Sequence, residues 1–237
     1  MISLIIPAYN ENLIIEYTVK KADEFLSKTF KSYEIIVVDD GSTDDMKNTV
    51  SNMDIDNLKI VSYNPNMGKG YAVRQGIFAS QGDYIFFTDA DLAYGIDVIK
   101  KGYRKMKKEN SDVVIGSRKL SKEGYKNYPF IRLVASKIFS FITGTISGLS
   151  YDTQCGFKGF RREAALSIFE NCVIDRFAFD FEAMLVAKRM GFKISEIGVS
   201  VINHRDSKVN ILKDSIKMFR DIIKVRIVTE SRIKGHL

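Results

Sequence analysis

Short apolar runs that stop at polar clusters, each followed by a helical stretch, constrain this chain more than any other feature. Ile2-Ser-Leu-Ile-Ile6 ends at Pro7, Tyr33-Glu-Ile-Ile-Val-Val38 runs into Asp39-Asp40-Gly41-Ser42, and Asp83-Tyr-Ile-Phe-Phe-Thr88 runs into Asp89-Ala90-Asp91. Leu58 to Ser62 and Asp112 to Ile115 read as two more strands, and Glu11 to Lys28, Lys69 to Ser80 and Ile96 to Lys108 as the helices between. Strands that are apolar throughout are covered on both faces, so the alternation implies an α/β fold with a mostly parallel sheet flanked by helices. In such open sheets ligands bind beyond the carboxyl ends of the strands. Pro7 to Glu11, Asp39 to Asp44 and Asp89 to Asp91 all fall there, which marks them as one candidate site. The second half is less regular. Helices are predicted over Arg132 to Gly148, Glu163 to Glu170 and Phe179 to Met190, with strands at Gly156 to Phe160 and Ile194 to Ile202.

Charge is unevenly spread. The chain carries a formal +7, yet residues 1–116 hold 14 basic and 17 acidic side chains. The excess sits in residues 117–148 and 204–237, each net +5. That distribution argues against a nucleic-acid binder with a general basic coat and points to local sites for anions, phosphates or a membrane surface. Ile211 to Val228 reads as a basic amphipathic helix. Lys213, Lys217, Arg220 and Lys224 fall within about 60° of one another on a wheel turning roughly 100° per residue. Such a helix either packs on the core with a solvated basic face or contacts a membrane.

Other classes have little support. No G-x-x-x-x-G-K-[ST] or strand-linked G-x-G-x-x-G is present, which sets aside phosphate-loop and dinucleotide readings. Pro65-Asn66-Met67-Gly68-Lys69-Gly70 reads instead as a glycine turn opening a helix whose N–H groups face the ligand. Cys155 and Cys172 fit reduced thiols of a cytosolic protein and make no zinc-type cluster. Phe130 to Leu149, the longest apolar stretch, is interrupted by Arg132, Ser136 and Lys137, so no transmembrane segment is expected. Met1 to Asn10 reads as a strand, not a signal peptide.

Asp89 and Asp91, one residue apart at a strand end, can converge on a hard cation, Mg²⁺ or Mn²⁺, held jointly by carboxylates and substrate phosphates. A lone D-x-D is more often an acidic turn. Here Asp39, Asp40, Asp44 and Asp45 lie at the adjacent strand end, and two acidic ends repel unless a cation or bound groups offset them, which favours a metal–nucleotide site. Arg118 and Arg132 are the candidate phosphate-binding guanidiniums, with Ser136 i+4 from Arg132 on one helix face.

Taken together, Pro7-Ala-Tyr-Asn-Glu11, Val38-Asp-Asp-Gly-Ser-Thr-Asp44, Asp89-Ala-Asp91 and Gly116-Ser-Arg118 resemble family-2 glycosyltransferases of the GT-A fold. Asp152-Thr-Gln-Cys-Gly-Phe-Lys158, Phe179-Asp-Phe-Glu182 and His204-Arg-Asp-Ser-Lys208 are similar to the dolichyl-phosphate and polyprenyl-phosphate glucosyl- and mannosyltransferase subgroup. The resemblance implies a GT-A domain over residues 1–210, with residues 211–237 as a basic tail. It implies that Pro7, Tyr9, Glu11 and Asp40 hold the nucleoside and that Asp89 lies near the ribose or sugar. Asp91 would be the main metal ligand, aided by Asp89, with Arg118 meeting the donor diphosphate. Arg205 and Lys208 would close over the phosphates, and Arg132 and Ser136 would receive the acceptor phosphate. Mannosyl members carry a glutamine where Ala93 stands here, which leaves the third metal ligand open and tilts the donor toward UDP-glucose.

The expected reaction is an inverting hexosyl transfer to a polyprenyl or dolichyl phosphate on the cytoplasmic face of a membrane, reached peripherally or through a membrane-protein partner. A phosphate acceptor needs no general base, since its second pKa is about 6 and it is anionic near pH 7. Catalysis would then fall to Asp91 with its metal, Arg118 and Arg132. Two alternatives remain at this stage. One is transfer to a sugar hydroxyl with Asp180 or Glu182 as base; the other is a non-catalytic nucleotide-sugar-binding module.

Overall fold

A computed structural model describes residues 1–124, 149, 151–202, 221 and 225. Among these, seven strands form one sheet in the order β3-β2-β1-β4-β6-β5-β7. The strands are β1 (Ile2–Ala8), β2 (Tyr33–Asp40), β3 (Leu58–Tyr63), β4 (Tyr84–Phe87), β5 (Val113–Ser117), β6 (Lys158–Arg161) and β7 (Ile194–Gly198). The helices are α1 (Asn12–Thr29), α2 (Met46–Ser51), α3 (Lys69–Ala79), α4 (Val98–Glu109), α5 (Arg162–Glu170) and α6 (Phe179–Arg189). The expected helix over 132–148 lies outside the described residues, as does that over 211–228 apart from Asp221 and Val225.

The mostly parallel sheet is as expected: β1 pairs in parallel with β2 and β4, β2 with β3, and β5 with β7. β6 is the exception. It lies antiparallel between β4 and β5, with Lys158 opposite both Phe87 and Ile115. Pro7 fits inside β1 because it lies beyond the last β1–β4 pair, Ile5 with Phe87, where a ladder donor toward β4 is no longer needed.

Two apolar layers explain why the strands look uniformly hydrophobic. Ile5, Ile36, Val38, Ile85 and Phe87 pack with α3, α5 and α6 on one face. Leu4, Ile6, Ile35, Val37 and Phe86 pack with α1, α2 and α4 on the other. Each fully buried aliphatic or aromatic side chain contributes about 1.5–3 kcal/mol relative to exposure, against the entropy of ordering it. With both faces covered, the carboxyl edge of the sheet is where loops and chemistry collect. The six-residue α2 was not foreseen; one and a half turns is too short for a periodic signal.

Candidate active site

The loops after β1, β2, β3 and β4 meet at this edge, and their polar residues mostly bind one another. Asn10, at φ 53°, accepts through Oδ1 from the N–H of Thr43 at 2.7 Å, and its own N–H donates to Ser42 Oγ at 2.9 Å. Asp44 Oδ2 accepts the Asn12 N–H at 2.9 Å and so ties the start of α1 to the β2 loop. Asp39 accepts from the Ser42 N–H and the Ser62 hydroxyl at 2.9 and 3.0 Å.

Asp40 is the knot of the arrangement. Its carboxylate accepts from the Met67 N–H at 2.8 Å, the Gly68 N–H at 3.0 Å, Asn66 Nδ2 at 2.8 Å and the Tyr63 hydroxyl at 3.0 Å. Burial, then the nearby Asp40 charge, pushes the Tyr63 phenol well above its usual range, so it stays a donor. Gly41, at φ +71°, allows the close approach this needs. A Cβ there would stand 2.6 Å from the Asn66 nitrogen. Two expectations change accordingly. The acidic cluster after β2 is answered by the protein's own donors, so repulsion there does not call for a cation. The N–H groups of Met67, Gly68 and Tyr71 at the head of α3 go to Asp40 and to the Asp175 carbonyl, not to an open ligand space.

The pair after β4 is different. Asp89 is held by Lys69 Nζ at 2.5 Å, and both side chains are partly exposed. Burial opposes the Lys69 charge, but Asp89, Asp180 and Asp91 outweigh it and raise the ammonium pKa. Asp91 Oδ1 accepts the Ala93 N–H at 3.0 Å. Burial first and the charge of Asp89 second push its carboxyl above the usual carboxylate range. Gly156 lies hard against Asp89, for a Cβ there would be 2.0 Å from Oδ2. Lys69 is a residue that sequence reasoning missed. Its signal was present in Gly68-Lys69-Gly70, but the spacing matched no phosphate loop and nothing linear connects it to Asp89.

Tyr9 is 40% exposed just after β1, and Glu11 caps the entry to α1, accepting from the Ile14 and Ile15 N–H groups through its carbonyl. Arg118, expected at the donor diphosphate, is buried and clamped to Asp152. Nε donates to Oδ2 at 2.8 Å and a terminal nitrogen to Oδ1 at 2.7 Å, with the Arg118 N–H adding a third bond at 3.0 Å. Asp152 thus matches its charge from inside the fold. Glu182 is fully buried and accepts from the Val173 and Ile174 N–H groups, holding the turn before α6. Asp180 is buried against the Lys158 ammonium. Neither carboxylate stands as a solvent-facing base. Arg132, Ser136, Arg205 and Lys208 lie outside the described residues.

This architecture, with a β4-end aspartate pair at the carboxyl edge, is that of nucleotide-diphospho-sugar transferases of the GT-A type. Glucosyl-3-phosphoglycerate synthase from Mycobacterium tuberculosis, solved with Mn²⁺, UDP-glucose and phosphoglyceric acid, matches with a TM-score of 0.71. That match has 22% identity and covers 99% of this chain and 80% of that one. The same enzyme with Mg²⁺ and UDP gives a TM-score of 0.72 at 20% identity, covering 97% and 79%.

The glycosyl transferase family 2 profile matches residues 3–169. A dolichyl-phosphate beta-glucosyltransferase of Dictyostelium discoideum is 33% identical, over 95% of this chain and 73% of its own length. The human protein of the same description is 32% identical, over 95% and 75%. This chain belongs to glycosyltransferase family 2. A non-catalytic binding module is thereby set aside.

Proposed function

We propose that the chain transfers glucose, with inversion, from UDP-glucose to a polyprenyl or dolichyl phosphate. The observation that carries this is the Asp89–Asp91 pair at the end of β4, in a chain about one-third identical to dolichyl-phosphate glucosyltransferases over nearly its whole length. The donor lies along the carboxyl edge, its nucleoside against Pro7, Tyr9, Glu11 and the loop that Asp40 organises. Asp40 acts there through the 64–68 loop it holds.

The residues fit a divalent cation. Asp91 carries a partly buried carboxylate one residue from Asp89, where burial and that neighbouring charge disfavour its ionised form, and hard oxygen ligands suit Mg²⁺ or Mn²⁺. Among the described residues no third His, Cys, Asp or Glu converges on the pair. An ion held by Asp91 and Asp89 would therefore complete its shell with donor phosphates and water. Bound there, it supplies positive charge against the leaving diphosphate. The crystal forms of the structural neighbours with Mn²⁺ or Mg²⁺ support this assignment.

The chain's own residues do the rest. Lys69 adds a second cation at the same floor. Arg132 and Ser136 receive the acceptor phosphate, and Arg205 and Lys208 close over the donor. Arg118 serves as the buried partner of Asp152 that fixes the loop after β5. The acceptor is already anionic, so the need is positive charge to draw two phosphates together, not a base. The internal engagement of Asp180 and Glu182 supports that base-free reading.

The lipid acceptor implies work at a membrane surface on its cytoplasmic face, through the basic 211–228 segment or a membrane-protein partner. No helix of the described residues is long and apolar enough to cross a bilayer. Replacing Arg132 by Ala is expected to abolish glucosyl transfer to a polyprenyl phosphate, a loss of at least 100-fold, while UDP binding is spared. Unchanged transfer would sink the base-free acceptor site.

A further inference from the structure

Lys158 is completely buried in β6, with its ammonium 5.4 Å from the centre of the Phe87 ring. Taking an ammonium out of water costs several kcal/mol even after relaxation, and a Met or Leu would fill this position without that cost. Two acceptors answer it: the Cys155 carbonyl at 2.8 Å and the Asp180 carboxylate in the first turn of α6. Beyond Asp180 the charges continue toward the edge. The head of α3 packs directly on the first turn of α6, where a Cβ at Gly70 would stand 2.6 Å from the Phe179 Cβ, so Lys69 and Asp180 flank a close contact, and Lys69 is in turn bonded to Asp89. Positive and negative groups thus alternate from closed core to open site: Lys158, Asp180, Lys69, Asp89. They come from β6, α6, the head of α3 and the end of β4. A pair that only pinned α6 to the sheet would need no such continuation.

We propose that Lys158 and Asp180 are positioning residues for the donor site: Lys158 fixes the Asp180 carboxylate, and Asp180 together with Asp89 sets where the Lys69 ammonium stands. This rests on the donor-site reading above. Among the described residues, the charges that act most strongly on Asp180 are Lys158 from β6, Lys69 from α3 and Asp89 after β4. With Lys158 neutralised, Lys69 would be the one of these two cations left to Asp180, which would draw it inward, away from Asp89.

The test is a double-mutant cycle on the full chain, with UDP plus Mg²⁺ as the probe and calorimetric affinity as the readout. Asp180→Asn keeps size and hydrogen bonding and removes charge; Lys69→Gln removes its proposed target. Each is expected to weaken UDP binding at least tenfold, and the double variant no more than Lys69→Gln alone, because both act through one ammonium. Losses that multiply in the double variant would overturn the proposal, as would wild-type affinity in Asp180→Asn. A merely structural pair lowers the unfolding temperature and leaves the UDP affinity of the folded protein unmoved. If Asp180→Asn does not fold, Asp180→Glu, which keeps the charge but displaces it by a methylene, takes its place in the cycle. Wild-type protein that binds UDP but glucosylates no polyprenyl phosphate would refute the acceptor assignment and leave this cycle decisive. Wild-type protein that binds no UDP would overturn both.

Discussion

Asp89 and Asp91 stand one residue apart and meet different fates. Asp89 is matched by Lys69 at 2.5 Å, whereas the Asp91 carboxyl is raised by burial and by Asp89. A carboxylate with a raised folded pKa stabilises the fold only at low pH. The folded state holds the proton more tightly, so that contribution is complete below the unfolded pKa and lost as pH rises through the folded one. At neutral pH the charge of Asp91 therefore costs stability. Asp91→Asn is expected to raise the unfolding temperature of the metal-free protein at pH 7 and to abolish any rise produced by added Mg²⁺. Calorimetric scans with and without the ion check both. An unchanged Mg²⁺ response in Asp91→Asn would remove this residue from the metal site. The pair itself was legible from its D-x-D spacing at a strand end. Its counter-ion was not, because Lys69 and Asp89 are twenty residues apart in sequence and come together only when α3 and β4 are docked.

At the level of elements, β6 changes how the site is built. By entering antiparallel between β4 and β5, it brings the 152–157 loop to the carboxyl edge. There Asp152 meets Arg118 at the end of β5, and Gly156 lies against Asp89. Burial alone would raise the Asp152 carboxyl, but the Arg118 hydrogen bonds and charge outweigh it and leave it below the usual range. Its stabilisation is present above the unfolded carboxylate pKa and is lost as pH falls through the depressed folded value. Removing one member of a buried ion pair strands the other charge, at about 3–5 kcal/mol. Asp152→Asn is expected to show a loss of that size in urea unfolding at pH 7, with the gap from wild type narrowing below pH 4. A constant gap down to pH 2 would mean that the ion pair is not its source. The linear pattern reported a strand in this region and a basic residue at 118. It carried no information on strand direction, since a four-residue strand reads alike both ways.

Across the molecule, charge is sorted by position. Residues 1–116 are net −3, with Asp39, Asp40 and Asp44 hydrogen-bonded within the carboxyl edge, and two segments of net +5 lie outside or at the margin of the described fold. A polybasic segment near an anionic bilayer gains about 1 kcal/mol per Lys or Arg, screened by salt. Changing Lys213, Lys217, Arg220 and Lys224 together to Gln is expected to lower binding to phosphatidylserine-containing vesicles by at least 100-fold. Wild-type binding should fall as NaCl rises from 0.05 to 0.5 M. Co-sedimentation indifferent to both anionic lipid and salt would exclude this segment as the anchor.

Local sequence carried a good deal: the alternation of elements, the parallel character of the sheet, the edge at which ligands gather and the aspartate pair after β4. These are properties of hydrophobic period and of turn chemistry, which act over a few residues. The strand order, the reversed β6, the internal satisfaction of Asp39, Asp40 and Asp44, the burial of Arg118 and the alternating charges from Lys158 to Asp89 belong to tertiary structure. Whether a carboxylate is bare, hydrogen-bonded or ion-paired depends on which distant groups packing brings within about 3 Å, and that distance is fixed only when the layers close on the sheet.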